Sequence, residues 1–236
     1  MWYPENKKEL ETFIDNSFKK KPNIKNKKIN GIIVPHAGYV YSGEIAGKAF
    51  SLLKNKKLEK AIIIGPSHYI PLIEAATSQT SELKTPLGNI TLKSFPSLKI
   101  EDISKEHSIN NQIPFLQRLG IKEITQIMVG EITSQYAKEL AKKIAKINAA
   151  YIFSTDLSHF MSYDKAKETD KKTITIIEEA DLENFQKIDA CGFFPLLVLF
   201  HLCKIKKIKP HLIEYKNSGD IAGDKSSVVG YASFYF

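Results

Sequence analysis

Arginine is almost missing from this chain: Arg118 stands alone against a background of lysine that brings the formal net charge to +8. Phosphates and base edges are usually read by the bidentate guanidinium fork. Nucleic acid is therefore not an expected partner, and the run Lys19-Lys20-Lys21 followed by Lys25, Lys27 and Lys28 reads as a solvated helix end and loop. Cysteine is scarce too. Cys191 and Cys203 are too few for a disulfide framework, so both are read as thiols, one of them available as a ligand. No run of 18 apolar residues occurs, and Met1-Trp2-Tyr3-Pro4-Glu5 lacks the basic and apolar regions of a signal peptide. A soluble, cytoplasmic protein without a membrane partner is the expectation. A P-loop and a G-x-G-x-x-G are both absent, and Gly219, Gly223 and Gly230 are too scattered to cradle a phosphate. Ser67 and Ser158 lie outside any G-x-S-x-G elbow, which disfavours a serine hydrolase.

What is present alternates. Helical spacing of Leu10, Phe13, Ile14 and Phe18 predicts an amphipathic helix over 8–20, and Pro22 helps to stop it. Apolar runs predict buried strands at 29–34, 61–64, 124–129 and 149–154. Between them, helices are expected from Ser42, as N-cap, to Lys54, from Ser108 to Gly120, and over 134–146. Residues 81–91, with Pro86 and Gly88, read as a hairpin or as edge strands. A charged helix over 164–182, a buried apolar helix over 196–204 opened by Pro195, and strands at 211–215 and 227–236 complete the chain. At 236 residues this predicts one domain spanning 1–236: an α/β fold in three layers with a mostly parallel central sheet.

Three of the six histidines follow such strands: His36 in Pro35-His36-Ala37-Gly38-Tyr39, His68 in Gly65-Pro66-Ser67-His68, and His159 in Asp156-Leu157-Ser158-His159. The carboxyl edge of an open α/β sheet is where sites form. His36, His68 and Cys191 offer two imidazoles and a thiolate, a donor set for a borderline or redox-active metal, and their wide separation favours an open site over a structural zinc knot. Cys191 precedes a predicted helix, whose amide dipoles favour the thiolate. Asp156 is placed to orient His159, which would shuttle protons. Glu106 and His107 are candidates for support behind the metal ligands or for substrate contact. Each also has a plainer reading: His36 in a tight turn, Cys191 as a small buried hydrophobe, Asp156 as a cap, Glu106-His107 as an exposed helix start.

Taken in order, PHAGYVYSG, GPSHY, EHSINNQIPFLQ, STDLSHF, CGFFP and SGDIAGDKSSVVGYASF resemble the Memo family, also called AmmeMemoRadiSam system protein B, as does the opening Trp2-Tyr3-Pro4. The resemblance runs end to end. It implies a fold similar to the LigB-type class III extradiol dioxygenases, with a pocket lined by His36, His68, Asp156, His159 and Cys191. It also implies iron or copper held by the two histidines and the cysteine, with His159 at the acid/base position. Where the dioxygenase pattern has a carboxylate as third ligand, this chain has Cys191, so ring cleavage is not carried over. Phe160 replaces a Trp of some relatives, and Phe193-Phe194 stand where polar or basic residues are common. The expectation is a metal-dependent redox protein acting on an unknown small substrate. The alternatives are a non-catalytic module that recognises a peptide or protein through the same pocket, and a site that holds only zinc. The system name implies partner proteins, including a radical-SAM protein.

Overall fold

The computed structural model describes residues 2–24, 29–54, 56 and 58–236; Lys25, Lys27 and Lys28 of the expected lysine-rich loop lie outside them. Four short strands with apolar residues on both faces form the centre: Gly31–Val34 (β1), Lys60–Pro66 (β2), Glu123–Val129 (β7) and Ala150–Ser154 (β8). They run parallel in the spatial order β1-β8-β2-β7. Alternate side chains enter opposite cores. Ile33, Ile62, Ile127 and Phe153 face one, Ile32, Ile63, Met128 and Ile152 the other.

Outside this parallel centre the sheet is mixed. Val228–Tyr235 (β11) lies antiparallel beside β1, with His211–Asn217 (β10) beyond it and His159–Met161 (β9) at its other end. On the far side, Ala75–Ser78 (β3) pairs antiparallel with β7 and parallel with Lys99–Glu101 (β6). The expected hairpin is Glu82–Thr85 (β4) and Gly88–Lys93 (β5), with Gly88 at a φ of 113° in the turn. Hairpins and returning strands need no helical crossover, which is why antiparallel pairs collect at the margins.

Helices cover both faces. Lys7–Lys19 (α1), Glu44–Ser51 (α2) and Ile113–Arg118 (α4) pack on one; Ser134–Ile144 (α5), Tyr163–Glu179 (α6) and Phe193–Lys206 (α7) pack on the other. Residues Pro195 to Cys203 of α7 are all buried, which accounts for its lack of a polar face.

Three local expectations are corrected. Ser42 does not cap α2. Tyr39–Gly43 forms a widened π turn, and the Ser42 hydroxyl donates back to the Ala37 carbonyl (2.9 Å), bracing the His36 loop. The expected helix over 108–120 is two short ones, His107–Asn110 (α3) and α4, broken ahead of Pro114. The Gly- and Asp-rich turn after β10 contains a short helix, Ser218–Ala222 (α8), closed by a capping box between Asn217 and Asp220.

Candidate metal centre

Because β1, β8 and β2 are parallel neighbours, their carboxyl ends open on one edge, and the segments after them carry His36, Asp156 and His68. Cys191 arrives from the segment before α7. Its approach is set by backbone: the Cys191 amide donates to the Asp156 carbonyl, and the Asp156 amide donates to the Cys191 sulfur (3.2 Å). Gly192 comes so close to Thr155 that a Cβ would lie 2.4 Å from the Thr155 Cβ. The result is a Cys191 sulfur 3.2 Å from His36 Nε2, and ligand atoms of His36, His68 and Cys191 that all lie within 4.8 Å of one another.

Each imidazole is fixed from behind. The His68 amide and Nδ1 both meet the Glu106 carboxyl, at 2.8 Å each, and Glu106 also caps α3 by accepting from the Ser108 amide. Burial pushes the Glu106 carboxyl up, but the hydrogen bonds from His68 and Ser108 outweigh it and hold the group below its usual range. His36 is gripped on every polar atom. Its amide donates to Asp156 (2.8 Å), its carbonyl accepts from Asn111 Nδ2 (2.7 Å), and its Nδ1 lies 2.9 Å from the Ser154 hydroxyl. Burial and the surrounding imidazoles keep His36 neutral by pressing its pKa well below normal.

The remaining candidates divide. Glu106 stands behind His68. His107 stacks on Trp2 (ring centroids 4.1 Å apart) and also meets the rings of His36, His68 and Tyr69, and its buried Nδ1 has no hydrogen-bond partner among the described residues. Burial and then His68 lower its pKa to about 4. Asp156 does not orient His159. Its carboxyl turns inward to the amides of His36 and Ala37, and burial raises its pKa to about 7. His159 starts β9 opposite Val229 and bonds the Leu157 carbonyl; burial lowers its pKa.

The thiolate expectation for Cys191 needs correcting as well. Burial, and next the Asp156 carboxyl, raise the thiol's pKa far above normal, and hydrogen bonds from the Asp156 amide, Thr155 and the Gly192 amide do not offset them. A cation held by the two imidazoles would favour the thiolate. Two imidazoles, one sulfur and a carboxylate behind one of the imidazoles fit a single transition-metal ion.

The family of Memo-like proteins matches residues 1–235. The chain belongs to the Memo family. A MEMO1 family protein of Nitrosopumilus maritimus is 33% identical over an alignment of 264 positions that covers all of this chain and 96% of the relative. One of Methanobrevibacter smithii is 37% identical, again over all of this chain and 96% of its own length, and one of Aquifex aeolicus is 29% identical with the same coverage. In this Memo-family chain, the motifs read from the sequence coincide with the segments that meet at the sheet edge.

Reading the sequence did not find Ser154, Gln112 or Asn111, which hold His36, or Asp170, fully buried on α6. Asp170 accepts from the Ser158 amide (2.9 Å) and from the Tyr215 hydroxyl (2.7 Å), fixing the turn that carries His159. Asn111 and Gln112 lie inside the EHSINNQ motif. Ser154 opens the STDLSHF motif, while Asp170 reads as an ordinary helix residue that no local signal marks.

Proposed function

We propose that this Memo-family protein is a metal-dependent redox protein whose single iron or copper ion is held by His36, His68 and Cys191, and which acts on a small organic substrate. The observation that carries this reading is the convergence of those three ligand atoms within 4.8 Å of one another. Such a metal would supply electron transfer or oxygen activation at the substrate. Glu106 keeps a proton on His68 Nδ1 and so presents the other ring nitrogen to the metal. Asp156 locks the His36 turn through the His36 amide. His159, half-buried and kept neutral by burial, is the base that accepts a substrate proton, a contribution of roughly a hundredfold or more.

Elemental analysis of protein purified without added metal, together with a His36→Ala/Cys191→Ala double variant, tests the proposal. Iron or copper near one equivalent in the wild type and loss of it in the variant is expected. Retention of wild-type metal content by the variant ends the metal-centre reading, and zinc as the sole metal ends the redox part of it.

A second reading, a binding module for a peptide or protein partner, draws on the exposed apolar side chains that follow the site residues in sequence: Val40 (77% exposed) after His36, Tyr69 after His68, and Phe160 (79% exposed) after His159. Phe160 also holds a left-handed φ of 59°, a strained conformation for such a residue. A partner such as the radical-SAM protein named with the family would then be captured equally well by metal-stripped protein.

A further inference from the structure

We propose that Ser154 sets the tautomer of His36 and holds this imidazole, in the metal-free protein, with its proton on Nε2, the opposite of His68. The tautomer follows from hydrogen bonds alone; its consequence for metal binding rests on the metal-centre reading above.

His68 Nδ1 faces Glu106 Oε1 at 2.8 Å. An ionised carboxylate only accepts, so Nδ1 carries the proton and Nε2 is bare. His36 Nδ1 faces a hydroxyl instead, Ser154 Oγ at 2.9 Å, and a hydroxyl works in either direction. Gln112 settles which. Its Nε2 lies 3.0 Å from the Pro35 carbonyl, which accepts only, so the amide cannot be reversed. The same Nε2 is 3.1 Å from Ser154 Oγ, so the hydroxyl accepts there. Among the described residues, the one acceptor in reach of the Ser154 proton is then His36 Nδ1. Ser154 is fully buried, and an unplaced O–H in that setting is costly. Ser154 therefore donates to Nδ1, and the neutral ring carries its proton on Nε2, aimed at the Cys191 sulfur 3.2 Å away. The thiol in turn faces the Asp156 carbonyl at 3.6 Å. Every donor from Gln112 through Ser154, His36 and Cys191 has an acceptor.

Ligation through His36 Nε2 undoes this arrangement. Nε2 gives up its proton and Nδ1 gains one, both by exchange with water, while Cys191 releases its thiol proton; the net yield is one proton for each metal ion bound. Ser154 must rotate to accept from Nδ1–H, and its own proton loses its one acceptor among the described residues. The pocket thus has one ligand preset, His68, and one that must be converted, so the Ser154 hydroxyl weakens metal binding. A group behind a metal-bound histidine ordinarily does the reverse.

Long-range proton–nitrogen correlation spectra of histidine-labelled, metal-stripped wild-type protein at neutral pH read both tautomers without any substitution. The expected result is Nδ1–H on His68 and Nε2–H on His36; Nδ1–H on His36 overturns the proposal. In a zinc titration, chosen because zinc is redox-inert, Ser154→Ala should bind at least as tightly as wild type, with a gain of roughly tenfold if the lost O–H bond acts in full. Weaker binding by Ser154→Ala overturns the proposed consequence. If wild-type protein takes up no metal at all, the metal-centre reading fails, while the spectra still decide the tautomer.

Discussion

Asp156 points a fully buried carboxyl at the amides of His36 and Ala37, and burial outweighs those hydrogen bonds, raising its pKa from 3.8 to about 7. In the metal-free protein the folded state keeps this proton where the unfolded chain has lost it. The resulting contribution to stability is fully present below the unfolded value and disappears as pH rises through about 7. Asp156→Asn removes the titration. The stability difference between wild type and variant should therefore fall with rising pH by on the order of 3 kcal/mol across that window. Urea melts of metal-free protein at a series of pH values check this, and a difference that stays flat would show that Asp156 does not titrate there. Cys191 teaches the same lesson about environment. Its place ahead of α7 argues for a thiolate, but enclosure by protein governs the sulfur until a cation is present.

At the scale of elements, α1 and α2 touch through Gly47, where a Cβ would stand 2.0 Å from Ser17 Oγ and 2.4 Å from Ser17 Cβ. Alanine is the better helix former by about 1 kcal/mol, but the contact with Ser17 Cβ cannot be relieved by turning a side chain. The helices must part, at a cost of roughly 1–3 kcal/mol. Gly47→Ala is expected to lower Tm by a few degrees in calorimetry, and pairing it with Ser17→Gly should restore most of the loss; an increase in Tm for the single variant would contradict the close packing. The periodicity that places α1, α5 and α6 is plain in the sequence because each buries one stripe. The π turn at Tyr39–Gly43 is not, since it answers to a contact with a distant segment: the Tyr39 hydroxyl donates to the Asn111 carbonyl.

Across the whole molecule, a metal on His36, His68 and Cys191 would clamp the ends of β1 and β2 to the entry of α7, joining residues 155 apart in the chain. A ligand present at about a hundred times its Kd stabilises the folded state by about 2.7 kcal/mol. Chelator should then lower the Tm of wild type by several degrees and leave the His36→Ala/Cys191→Ala variant unchanged. Equal shifts in both proteins would mean the metal sits elsewhere. No helix among the described residues is long and apolar enough to cross a membrane.

The residue order alone established the parallel centre of the sheet, because runs such as Ala61–Ile64 and Ala150–Phe153 are apolar on both faces and only a strand covered twice can bury them. It also marked the residues that could bind metal, since imidazole and thiol donors just past strand ends are visible in the residue order. What those donors are joined to follows from the folded arrangement and not from the residue order. Asp156 grips His36 and not His159, Glu106 and Ser154 take opposite hydrogen-bonding roles behind the two imidazoles, and Cys191 is enclosed. Hydrogen-bond partners and burial depend on which distant segments the fold brings together, and no local spacing encodes that.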